Sequence, residues 1–148
     1  MNQTPRIGFE IRTISNLIKR EVDYLEEKTY EGAISGTNRY ILLHLAHNRD
    51  RDIFQKDLEE VFLVRRSTMS SILLRMEEKG LLTRTSVDHD ARLKKITLTE
   101  KGFCLHKQME HSIDEMEERL ASGLSPEESK MLLTLLGKVK HNLENEKS

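Results

Sequence analysis

The apolar rhythm of this chain changes twice, and that change constrains its fold more than any other feature. Ile7, Ile11, Ile14, Ile18, Val22 and Leu25 recur at spacings of three and four, which puts them on one stripe of a helix over residues 6–28. Residues 81–87 are instead rich in Thr, Leu and Val and read as a strand, with 94–98 as its return beyond a charged turn at 88–93. Met109, Ile113, Met116 and Leu120 then resume a helical 4-3-4 spacing, a seam for another helix. The pattern predicts a mostly α fold interrupted by one β-hairpin.

The remaining segments fit that frame. The only prolines are Pro5 and Pro126, so the interior is free to be helical. Gly32 and Gly36 break the first helix. Thr37 is placed to cap a second, whose apolar residues include Tyr40, Ile41, Leu42 and Leu45. Residues 47–52 form a polar loop. A short helix is expected over 53–62 and another over 67–79, ending at Gly80 where a left-handed turn suits glycine. Thr99 caps a long helix to about residue 121. Ser125-Pro126-Glu127-Glu128 combines an N-cap, a first-turn proline and a reciprocal capping carboxylate. The last helix carries Leu132, Leu135, Leu136, Val139 and Leu143.

A length of 148 residues suits a single domain. With 36% hydrophobic and 33% charged residues, the chain fits a thin helical protein sharing part of its core with a second copy better than an enzyme built round a deep pocket. There is no recognisable Ser/His/Asp context, phosphate loop or HExxH, and no enzyme activity or cofactor is expected. Cys104 is the only cysteine, so no intrachain disulfide can form. No stretch approaches the roughly 18 apolar residues of a membrane span, and the start lacks a secretory core. A cytoplasmic protein without membrane contact is expected.

Net charge is −1, but its distribution is uneven. Residues 64–101 carry nine basic and five acidic groups, whereas the segments on either side are net negative. That basic segment contains the two short helices' junction and the hairpin, the layout of a winged helix-turn-helix. Met69, Ile72, Leu73 and Met76 give the second of those helices a core face. Its other face carries Ser67, Ser70, Ser71 and Arg75, with Thr68 in its first turn and Arg65 and Arg66 just ahead. Small hydroxyl side chains allow close approach to base edges, and arginines at a helix start suit phosphate or guanine. Arg92 and Lys94 make the hairpin tip basic, and Asp90 is expected to brace the side chain of Arg92 or Arg75. The acidic pairs Glu77-Glu78 and Glu117-Glu118 read as solvated faces.

The stretch QKDLEEVFLVRRSTMSSILLRMEEKGLLTRTSVDHDARLKKITLTEKG resembles the core of the MarR family of winged-helix regulators. The marks are ST-x-S before the apolar face, ME-x-KGLL-x-R into the first strand, D-x-R at the tip and LT-x-x-G opening the next helix. The resemblance implies a lobe over residues 37–99 that binds double-stranded DNA, and dimerisation helices over 6–28 and 100–145. It implies a homodimer on a near-palindromic operator, acting as a ligand-responsive repressor. By position, Ser70 and Ser71 match base-reading residues, Arg92 the wing arginine and Asp90 its brace. Two departures stand out: Phe62-Leu63-Val64 occupies a turn where many members have glycine, and Arg65-Arg66 replaces a small cap. Ile7, Ile11, Ile14, Met116, Leu120, Leu132, Leu136 and Val139 are the expected dimer surface. The rival reading is a winged helix that binds only protein.

The family implies a small-molecule effector, an oxidant or a metal without choosing among them. Cys104 reads as a small buried hydrophobe. His44, with His106 and Glu110 one helical turn apart, is a weak candidate metal set for a metal-responsive member.

Overall fold

A computed structural model describes residues 5–29 and 36–144. Its order is α1 (Ile7–Thr29), α2 (Gly36–His47), β1 (Ile53–Phe54), α3 (Gln55–Phe62), α4 (Arg66–Glu78), β2 (Leu82–Val87), β3 (Asp90–Leu98), α5 (Glu100–Ala121) and α6 (Pro126–Glu144). The expected mostly α winged-helix architecture is what the chain adopts. Gly32 lies outside the described residues, and Gly36 opens α2 one residue before the expected cap. Among the described residues, no helix is long and apolar enough to cross a membrane.

The sheet is larger than a hairpin. It has three antiparallel strands in the order β1-β3-β2. Residues 53 and 54, expected to begin a helix, instead pair as Ile53 with Ile96 and Phe54 with Lys95. An ion pair of 2.9 Å between Lys95 Nζ and Asp52 Oδ1 fastens the same edge. Ile53 and Phe54 have the β-branched and aromatic side chains a strand favours, but two residues carry no period of their own. The turn at the tip is also shorter than expected, because β3 already begins at Asp90 and residues 90–93 join the strand. A register irregularity between Ser86 and Val87 accommodates the tip.

The chain divides into two compact units, Met1–Met109 and Glu110–Ser148. The core of the first joins Ile41, Leu42 and Leu45 of α2, Leu58 of α3, and Met69, Leu73 and Met76 of α4. Leu81, Leu82, Ile96 and Leu98 close it from the sheet side. The expected core face of α4 is therefore the buried one. Burying one such Leu or Met stabilises the lobe by roughly 1.5–3 kcal/mol.

Helices α3 and α4 both end in the same backbone device. Gly80 has φ +75, with Leu81 N–H donating to Met76 O at 3.0 Å and Gly80 N–H to Glu77 O at 2.9 Å. Leu63 takes the equivalent place after α3, with φ 52 and Val64 N–H donating to Glu59 O at 3.1 Å. It is the only non-glycine residue with positive φ among those described. The turn thus needs a left-handed residue, and this chain supplies a leucine that crowds its own carbonyl. Leu63 is 57% exposed, so little packing compensates. Leu63→Gly is expected to raise stability to urea by about 0.5–1 kcal/mol, the net of relieved strain and added unfolded-state freedom. An unchanged or lower midpoint would show that the turn carries no such strain.

In the second unit, α6 has no buried residue. Its start is built as the motif expected: Glu128 N–H donates to Ser125 Oγ at 3.1 Å and Ser125 N–H donates to Glu128 Oε1 at 3.0 Å. That backbone hydrogen bond from Ser125, with the Ser125 hydroxyl second, lowers the Glu128 pKa. Met131, Leu132, Leu133, Leu135 and Leu143 remain exposed. On α1, in the first unit, Ile7, Ile11, Ile14 and Leu17 are exposed as well. Leu120 is exposed, whereas Met116, expected on the partner surface, is buried within the chain at 7% exposure. Spacing marks an apolar seam but cannot say whether the same chain covers it.

Candidate nucleic-acid interface

The first turns of α3 and α4 and the wing strands enclose a cleft of about 600 Å³. Lys56, Arg66, Arg84, Arg92 and Lys94 line it, against a single carboxylate, Glu59. Four secondary-structure elements thus deliver cations to one concave face. Concave cationic surfaces focus potential on an anionic partner.

The N-terminus of α4 opens toward solvent. Arg65 is its N-cap residue, extended with ψ 151 and without a side-chain cap bond. The first N–H groups of α4 therefore keep the partial positive charge of an uncapped terminus. Arg66, Ser67, Thr68, Ser71 and Arg75 are exposed along the helix. Of the expected contact residues, the cleft brings together Arg66, Ser70, Arg92 and Lys94. Arg65, Ser67, Thr68, Ser71, Arg75 and Asp90 are not among its lining.

Ser70 differs from its neighbours. It is half-buried, and the amide of Gln55 donates to its hydroxyl at 2.8 Å. Gln55 is the first residue of α3 and only 9% exposed. The position of α3 is itself fixed from behind, where Phe54 N–H donates to Asp57 Oδ2 at 2.9 Å.

On the wing, Arg92 is exposed and Lys94 Nζ donates to Ser86 Oγ across the strands at 2.7 Å. Asp90 acts differently from expectation. Its Oδ1 accepts the backbone N–H of Arg92 at 2.9 Å, so it braces the main chain of the tip. Asp commonly folds back on an N–H two residues ahead, and here that local geometry wins over the longer reach to a guanidinium.

Two residues of the site carry no period that marks them. Arg84 lines the cleft, and Glu77 holds it. The Arg84 N–H donates to Glu77 Oε2 at 2.9 Å and its guanidinium to Oε1 at 3.4 Å. Glu77 is thus a strut between α4 and β2 and not a solvated acid. The signal was the ME-x-KGLL-x-R string, which contains both residues seven positions apart.

The histidines are arranged otherwise than expected. His106 is buried and meets His47, not His44, edge to face with ring centroids 5.7 Å apart. His47 ends α2 and lies one turn beyond His44, so the helix phase brings it to α5. Glu110 follows His106 by one turn along α5. His44 packs edge-on against Phe62 at 6.0 Å and lines a smaller cavity with Asp57 and Glu60. Burial lowers its pKa first and the nearby Arg51 charge second. Cys104, expected to be buried, is exposed. On α5 the inward positions are Gly102, His106 and Met109, which leaves Cys104 on another face.

Comparison with known proteins agrees with this geometry. A family model described as the MarR family matches residues 34–93. The structure is similar to that of S. aureus MepR in its complex with DNA, with a TM-score of 0.85 and 28% identity over 95% of this chain and 99% of that one. It is also similar to S. aureus MepR in its DNA-binding conformation, with a TM-score of 0.82 and 28% identity over 94% and 99% of the two chains. The transcription regulator MarR from Oenococcus oeni PSU-1 gives a TM-score of 0.78 and 30% identity over 92% of this chain and 99% of that one. Fold, wing motifs and near-complete mutual coverage lead to one assignment: the chain belongs to the MarR family of winged-helix transcription regulators.

Proposed function

We propose that the protein binds duplex DNA as a homodimer on a palindromic operator and represses transcription by occupying it. The observation that carries this reading is the cationic cleft beside the exposed face of α4. That face suits the major groove, and Arg92 suits the adjacent minor groove. The relative solved as a MepR–DNA complex supports it. Helices α1, α5 and α6 supply the dimer contacts. A small effector lowers DNA affinity by changing the spacing of the two α4 helices, and by reciprocity DNA weakens the effector. Effectors that bind without changing DNA affinity would remove that part of the reading.

Selection of duplexes from a random pool, with affinity measured against salt, tests the proposal. The expected result is a palindrome with half-sites about 34 Å apart and affinity falling steeply in salt. Failure to enrich any sequence would leave a winged helix that serves a protein partner.

The division of labour within the site is tested by two substitutions. Arg92→Ala is expected to weaken binding across sequences and to reduce the salt slope by about one unit. Ser71→Ala is expected to change base preference while leaving the slope in place. If the two variants behave alike, the assignment of backbone and base roles is wrong.

A further inference from the structure

We propose that His47, His106 and Glu110 form a site for a divalent transition-metal ion of the zinc class. The proposal is independent of the DNA-binding reading and is tested on the free protein.

His106 is the centre of the cluster. It lies on α5 within the first unit, at 3% exposure. Its ring meets that of His47 with 5.7 Å between centroids and 88° between planes. Nitrogen atoms of the two rings come within 4.8 Å of each other, and a carboxylate oxygen of Glu110 comes within the same distance of His106. The i, i+4 spacing puts His106 and Glu110 on one face of α5, one turn apart. Among the described residues, no other three His, Cys or carboxylate side chains converge in this way.

The arrangement has the dimensions of a coordination shell. A tetrahedral zinc ion holds nitrogen ligands at about 2.0–2.1 Å, which puts two of them about 3.3 Å apart and their ring centres about 5 Å apart. His47 is exposed, so its side chain can turn the short remaining distance. Two imidazoles and one carboxylate leave a fourth position for water or an outside ligand. The same donor set selects the metal. Magnesium and calcium prefer shells of oxygen and the softest ions need sulfur, whereas the zinc class takes imidazole with carboxylate.

The surroundings explain why each ligand is needed. His47 is the last residue of α2, where unpaired carbonyls give the helix end partial negative charge that attracts a cation. Two cations, Arg49 and Lys107, stack on the neighbouring Phe103 at 4.4 and 5.4 Å from its ring centre. The anionic Glu110 offsets their repulsion of a metal. His106 is held in the core while His47 is exposed and Glu110 half-buried, so an ion enters from solvent. Once bound, it ties the end of α2 to α5 and stabilises the folded chain, because unfolding separates the ligands.

Titration of metal-stripped protein with Zn2+ against a chromophoric chelator provides the test, with Co2+ as a spectroscopic probe. The expected result is one ion per chain, the visible bands of four-coordinate Co2+, and a thermal midpoint that rises with Zn2+. His47→Ala is expected to weaken Zn2+ binding by more than about tenfold, since even groups that only support a ligand contribute that much, and to abolish the rise in midpoint. Glu110→Gln keeps the side-chain shape, removes the charge and is expected to act in the same direction. Neither position is buried, so both variants are expected to fold, and their midpoints without metal verify it. His111→Ala is the control. His111 and Glu115 are also i, i+4 on α5, with Nε2 and Oε1 3.0 Å apart, but belong to no such cluster among the described residues. This variant should bind Zn2+ as the unaltered protein does. An absence of saturable Zn2+ binding would overturn the proposal. So would binding that neither His47→Ala nor Glu110→Gln weakens, or that His111→Ala weakens as much, for the ion would then be an adventitious ion only.

Discussion

Replacing Gly102 with alanine is expected to destabilise the winged-helix fold by about 3 kcal/mol, a large part of the roughly 5–15 kcal/mol that holds a domain together. A Cβ at this position would run into the carbonyl oxygen of Leu81. It would also lie 2.7 Å from Leu98 Cδ1 and 3.0 Å from the carbonyl carbon of Leu81. Leu98 can rotate, but the Leu81 main chain cannot retreat. The Leu81 carbonyl accepts Thr99 N–H at 3.1 Å, and Thr99 Oγ1 donates to Gly80 O at 2.6 Å while accepting Gly102 N–H at 3.0 Å. One hydroxyl therefore caps α5 and ties it to the end of α4, and only a residue without a side chain lets the two backbones come so close. Gly102 is helical, so the need is for space and not for an unusual φ. Urea unfolding followed by circular dichroism measures the cost. A midpoint within about 0.5 kcal/mol of the unaltered protein would show that the two segments can separate without penalty.

If the protein acts as the proposed homodimer, Leu132→Glu is expected to leave it monomeric and to lower operator affinity at least about a hundredfold. Helix α6 exposes Leu132 at 46% and Leu135 at 48%, with Leu136 and Val139 half-buried on the same side, and none of its residues is buried. An exposed apolar strip of this kind suits contact with another chain, as the proposed dimer requires. A charge at its centre adds a desolvation cost to each copy at a two-fold contact. Once the copies separate, the second recognition helix no longer arrives at the effective concentration that tethering supplies. Sedimentation velocity reads the first effect and a binding isotherm the second. A dimer of unchanged stability would place the contact elsewhere, and a monomer with undiminished affinity would sever dimerisation from operator binding.

The backbone constraints at Leu63 and Gly102 register differently in the sequence. Gly80 announces its turn because glycine is the usual occupant. Leu63 occupies an equivalent turn, and only the resemblance, through the glycine many members have there, marks it, because its own side chain reads as apolar. Gly102 belongs to a recognisable LT-x-x-G string, but the string does not disclose that the Leu81 carbonyl is what it must clear.

The sequence by itself determined the mostly helical class, the wing, the buried face of α4, the caps at Thr99 and Ser125, and the family. All of these follow from local periods, capping chemistry or spaced motifs, which act between residues close along the chain. Tertiary structure alone decided the pairing of β1 with β3, the grip of Glu77 on Arg84, the bond from Gln55 to Ser70, the exposure of Cys104 and the burial of Met116. It also chose His47 over His44 as the neighbour of His106. Each of those depends on partners brought together by the packing of elements. A spacing of three or four residues says which side chains share a face, but what that face meets is settled by the burial of the whole core.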